Sequence, residues 1–118
     1  MDDFVHRMGL YKEYFNSIHE GKKTVEVRLN DERRRKIEVG DLIEFVDINN
    51  PSEKLKVNVT ALRKYKTFKE MYNDIPFADF DCKDWSMQEM IAGTYDIYTP
   101  EQESKWGTLA ITIEYHEE

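Results

Sequence analysis

The sequence is poor in the residues that staple, ligate or break a chain. Its 118 residues include one cysteine, Cys82, three prolines and five glycines. A lone cysteine excludes an internal disulfide and a cysteine-based metal cluster, and it fits a reducing, cytoplasmic compartment. His6, His19 and His116 stand far apart, and no pair has the spacing of metal ligands. The expectation is a protein without metal or other cofactor. The glycines are isolated, so there is no phosphate-cradling loop. No apolar run approaches the ~18 residues of a membrane helix. The opening, MDDFVHRM, starts acidic and lacks the basic flank and apolar stretch of a secretory signal. No membrane association is expected.

What is present is charge and a moderate apolar content. Charged residues make up 35% and hydrophobic residues 40%. That balance suits one ordered domain over 1–118, which can bury roughly 65% of its unfolded surface. The net charge of -7 argues against indiscriminate nucleic-acid binding, but it is an average. Residues 1–66 carry 14 basic and 12 acidic residues, whereas 67–118 carry 3 and 12. Positive charge gathers in 22–36, with seven basic residues against three acids. A polyanion would therefore be held on one side of the molecule and repelled from the other.

Taken in order, Phe4, Val5 and Met8 read as a short strand or extended lead-in. Tyr11, Tyr14, Phe15 and Ile18 have helical spacing, giving a helix over 11–20 that ends at Gly21. Residues 23–29 alternate as a strand, with Val25, Val27 and Leu29 on one face and Thr24, Glu26 and Arg28 on the other. Asn30–Arg35 is a polar loop. Ile37 and Val39 form a short extended piece, and Gly40-Asp41 turns it into a strand over 42–47. Asn49-Asn50-Pro51-Ser52 is a turn, and 54–62 alternates as the partner strand of a hairpin. Three helix starts follow: Thr67 with Glu70, Ser86 with Glu89, and Thr99 with Pro100 at the first helical position. They predict short helices near 68–74, 87–92 (ended by Gly93) and 100–104, with PFADFDCKDW irregular between the first two. Leu109, Ile111, Ile113 and Tyr115 alternate over a last strand. Short, half-polar strands with tight turns and inserted helices point to a small α+β, barrel-like structure rather than a parallel βαβ sheet.

The candidate chemistry sits in the 23–29 strand. Glu26 and Arg28 share a face, with Lys23 just before them. A carboxylate between two cations stays ionised. The trio is either a polar cluster in a groove, able to hold a phosphate or a base edge or to activate water, or a solvent-facing set of ordinary ion pairs. Arg33, Arg34, Arg35 and Lys36 either contact phosphates without sequence preference or form a solvated loop. Among the aromatics, Tyr95 and Tyr98 are the preferred candidates for stacking on an unpaired base. Cys82, with only Lys83 beside it, reads as structural or incidental.

At Gly21-x-Lys23-x-x-Glu26-x-Arg28, followed by Gly40-Asp41, the chain resembles the ASCH domain family of the PUA-like superfamily. The resemblance covers the early helix, the motif strand, the hairpin and the closing strand. It implies a small mixed β-barrel of about five to six strands with short flanking helices. It also implies RNA or nucleotide binding in the cleft between barrel and first helix, where Lys23, Glu26 and Arg28 take the cleft positions. One bacterial branch is a metal-independent amidohydrolase that removes the acetyl group of N4-acetylcytidine. There the position of Lys23 holds a catalytic lysine and that of Glu26 a catalytic threonine, with a glutamate further along. Here Thr24 lies two residues from the threonine position, and only Asp81 or Asp84 stands near the third.

Three readings follow. The first is an RNA- or nucleotide-binding module in which Lys23, Glu26 and Arg28 contact the ligand, Arg33, Arg34 and Arg35 its backbone, and Tyr95 or Tyr98 a base. The second is an amidohydrolase on a modified nucleoside, with Glu26 as general base and Lys23 stabilising the oxyanion. The third is a protein-interaction module using the acidic region with Phe77, Phe80 and Trp85.

Overall fold

The computed structural model describes residues 5–115. The chain runs β1 (Val5–Leu10), α1 (Lys12–His19), β2 (Val25–Leu29), β3 (Leu42–Asp47), β4 (Asn50–Tyr65), α2 (Phe68–Asp74), α3 (Met87–Tyr95), α4 (Pro100–Trp106) and β5 (Thr108–Tyr115), with single 3-10 turns at Arg34–Lys36 and Phe77–Phe80. The strands form one five-stranded sheet in the order β1-β3-β4-β5-β2. β1 runs parallel to β3, and every other pair is antiparallel.

β4 shapes the sheet. Its first half pairs with β3 and its second with β5, and the register slips between Val59 and Ala61. An extra residue on one strand bends it and increases its twist. The sheet therefore curls into a half-barrel with β1 and β2 left as its edges. This is the expected α+β architecture, stopped short of closure.

Both faces of the sheet are covered, in different places. Ile43, Phe45, Val57, Ile111 and Ile113 pack with Phe15 and Ile18 of α1 on the concave side. On the other side Val25, Leu29 and Ala110 pack against Phe68, Met71, Tyr72 and Met90 of the helical region. β5 is therefore buried on both faces from Thr108 to Ile111, although its sequence alternates.

Local signals account for most of the element ends. Ser86 and Thr99 each close a full capping box with Glu89 and Gln102, and Pro100 begins α4. Thr67 accepts from the Glu70 amide. Three expectations need correction. Gly93 does not end α3, which runs to Tyr95. Thr94 holds that last turn by bonding back to the Met90 carbonyl at 2.8 Å and meeting Tyr72 Oη at 2.7 Å. The 49–52 turn is tighter than expected: Asp47 pairs with Asn50, and Pro51 lies inside β4 near its start, where a missing N–H is tolerated. Val39 is exposed and belongs to no strand, while Ile37 alone reaches the core. Phe4 and His116 lie outside the described residues.

Candidate functional site

The site begins with the way α1 ends. Glu20 caps the helix after its last residue, His19, and Gly21 follows at φ 77°. The Gly21 amide donates to the Ile18 carbonyl (3.0 Å), and the Lys22 amide donates to that of Ser17 (3.0 Å). This is the reversed turn that glycine makes after a helix, since a side chain is disfavoured at positive φ. Thr24 then straps the chain down. Its amide donates to Asp79 (2.9 Å), and its carbonyl accepts from Ile113 (2.9 Å). Lys23, held between turn and strap, faces inward.

β2 carries Glu26 and Arg28 into the same space. Glu26 is only 4% exposed. Its Oε1 lies 3.4 Å from Lys23 Nζ, and its Oε2 accepts from Arg28 Nε at 2.7 Å. Arg28 also donates through Nη2 to the Gly9 carbonyl of β1 at 3.0 Å. One side chain thus spans the seam between the two sheet edges. Lys23 Nζ sits over the Tyr14 ring, 4.6 Å from its centre, a favourable place for a cation. Burial pushes the Glu26 carboxyl pKa upward, but the charges and hydrogen bonds of Arg28 and Lys23 outweigh it and hold the pKa below its ordinary value. Burial likewise opposes the charge on Arg28, and Glu26 more than compensates, raising its pKa. The carboxylate is ionised and the trio carries a net single positive charge.

These groups floor a cavity of about 310 Å³ between β1, α1, β2 and the helical region, within the range of roughly 300–1,000 Å³ usual for small-molecule sites. Its walls include Tyr14, Tyr72 and Tyr98. Its mouth carries four apolar side chains left in solvent: Tyr11 (52% exposed), Ile48 (48%), Trp85 (45%) and Ile97 (53%). Exposed apolar side chains gathered in one patch are a feature common at binding surfaces.

The candidate residues divide. Lys23, Glu26, Arg28 and Tyr98 meet in the cavity. Tyr98 is stacked on Phe68 with ring centres 5.6 Å apart. Tyr95 is not among the lining residues; its hydroxyl donates to Glu103 Oε1 at 2.6 Å. Arg33, Arg34 and Lys36 line a second groove of about 450 Å³ together with β1 residues Val5 to Met8. Arg34 pairs with Asp31 there, and burial and the nearby Arg28 charge lower its pKa. Arg35 turns away, donating to the Asn30 carbonyl at 2.7 Å and lying over Trp106. Sequence reasoning did not single out Tyr11, Tyr14, Ile48 or Ile97; Trp85, already a candidate contact residue, lines the cavity with them. The i, i+3 spacing of Tyr11 and Tyr14 on an otherwise core-facing helix side was the available signal. Cys82 also lines the cavity; burial raises its pKa, with Lys23 opposing.

Among the described residues no cluster of three or more His, Cys, Asp or Glu side chains could hold a metal ion, and no helix is long and apolar enough to cross a membrane.

The curled mixed sheet and the flanking helices are those of a PUA-like domain. The chain belongs to the ASCH domain family, whose model matches residues 8–117. It is similar to the hypothetical protein PH0355, whose crystal structure has 38% sequence identity and a TM-score of 0.86, the match covering 96% of this chain and 100% of that one. It is also similar to protein PF0455 from Pyrococcus furiosus, known from a solution NMR structure, at 36% identity and a TM-score of 0.78, over 98% of this chain and 100% of that one. The ASCH protein of Zymomonas mobilis shares the fold at 17% identity and a TM-score of 0.64, over 98% of this chain and 71% of that one. No curated protein sequence matches the chain.

Proposed function

We propose that this ASCH domain binds RNA or a nucleotide by taking a base into the cavity at the β1–β2 seam. The observation that carries the reading is the enclosed Lys23–Glu26–Arg28 trio under an apolar, aromatic mouth. Aromatic walls suit the face of an unpaired base, and charged groups suit its edge. The second groove, with Arg7, Arg33, Arg34 and Lys36 along it, shares strand β1 with the cavity and suits phosphates. The acidic second half of the chain limits how far a strand can extend. Calorimetric titration with short single-stranded RNA at low salt should show binding that Lys23→Ala and Arg28→Ala each weaken at least tenfold. Absence of binding to every RNA and nucleotide would overturn the reading.

Hydrolysis of a modified nucleoside gains less support from the same geometry. A general base works best with its pKa near the working pH, and Glu26 is held the other way. Asp81 accepts from Ser17 at 2.7 Å, and neither it nor Asp84 lines the cavity.

A further inference from the structure

Resting on that reading, we infer that the cavity selects uracil, through a donor–acceptor–donor array formed by Lys23, Glu26 and Arg28. The order follows from the ion pairs. The ammonium stands at one oxygen of Glu26 and the guanidinium at the other. The carboxylate, flanked on both sides, is an acceptor only, and its two oxygens have lone pairs left beyond those two partners. Lys23 has hydrogens to spare, because its one charged partner is Glu26. Arg28 uses Nε on Glu26 and Nη2 on Gly9, leaving Nη1 free to donate.

The complement of donor–acceptor–donor is acceptor–donor–acceptor. Uracil presents that along its pairing edge as carbonyl, N3–H and carbonyl. Cytosine presents an amine, a bare ring nitrogen and a carbonyl, so its amine meets a cation and its ring nitrogen meets the carboxylate. Adenine sets the same two conflicts. Guanine matches with its carbonyl and N1–H, but its amine then faces whichever cation lies on that side. With cations on both oxygens of Glu26, turning the base over does not relieve the clash. Unpaired or opposed polar groups in an enclosed site are the costly outcome in recognition. Tyr14, beneath Lys23, and Tyr98 line the same cavity as the array.

The test uses the unaltered protein and ligands that differ at one base. Adenylate pentamers carrying a central uridine, cytidine, guanosine, adenosine or N3-methyluridine are titrated at one salt concentration. The uridine pentamer should bind about 10- to 100-fold more tightly than the others, the discrimination expected of a good multidentate base contact. N3-methylation removes the single hydrogen that Glu26 accepts and should abolish the preference. Glu26→Gln should bring the uridine and N3-methyluridine pentamers within a few-fold of each other. Pentamers binding within about twofold of one another, or a guanosine pentamer binding as tightly as the uridine one, overturn the selectivity and leave the binding function standing. If no pentamer binds, the selectivity for uracil falls, and the titration against the wider set of RNAs and nucleotides decides the binding function.

Discussion

Replacing Glu26 with glutamine tests the site's electrostatics directly. The change keeps volume and removes one charge. Glutamine offers one oxygen and one NH2 where the carboxylate offered two acceptors, so either Lys23 or Arg28 is left facing a donor. Side-chain exposure is 10% at Lys23, 5% at Glu26 and 13% at Arg28, so water cannot easily take the place of the lost partner. Breaking a buried pair by removing one member costs about 3–5 kcal/mol, because an uncompensated charge stays buried. For a domain of this size that is a loss of about 10–20 °C in Tm. Replacing all three members with apolar residues (Lys23→Met, Glu26→Leu, Arg28→Met) should cost much less, since no charge is then stranded. Urea unfolding followed by far-UV circular dichroism reads both variants. The wild type supplies a further check through pH. Because Glu26 has a folded pKa below its unfolded one, the unfolded chain takes up the proton first as acid is added. The contribution is full well above pH 4.5 and is lost as pH falls through the lower folded value. The unfolding midpoint of Glu26→Gln should therefore depend less on pH below that point than the wild type's does. A Glu26→Gln loss under about 1 kcal/mol, against the 3–5 expected of a buried pair, with an unchanged acid profile, would refute the account of a buried, mutually dependent trio.

Two more outcomes are expected. Gly21→Ala places a side chain at φ 77°, where L-residues lose about 1–2 kcal/mol. Nothing crowds the added carbon, so the effect is conformational: a lower urea midpoint, and weaker RNA binding because Lys23 is delivered by that turn. A variant with wild-type midpoint and affinity would remove this turn from the argument. Trp85→Ala, at the mouth and 45% exposed, should leave the midpoint within about 0.5 kcal/mol and weaken RNA by the ~1–3 kcal/mol of one stacked base. Unchanged affinity by calorimetry would mean that the mouth does not touch the ligand.

Much of this was legible along the chain, because the signals are local. Ser86 with Glu89, Thr99 with Pro100 and Gln102, and Gly21 act on backbone groups within four residues. They mark helix ends whatever the rest of the fold does. The alternation of β2 put Glu26 and Arg28 on one face, and Lys23 was placed beside them by the helix-ending glycine. What that face meets depends on chain segments distant in sequence. It is enclosed because the bend in β4 curls the sheet, bringing Gly9 of β1 within reach of Arg28, and because the helical region folds over the seam. Tyr95 and Tyr98 are equal candidates in sequence, yet one is tied to Glu103 and the other lines the cavity. Gly93 reads as a helix end only until Thr94 and Tyr72 are seen to hold another turn. The sequence by itself decided which side chains share a strand face and where the helices start. The tertiary structure alone decided that three charges are taken out of water together, since burial is set by packing between segments and not by residue order.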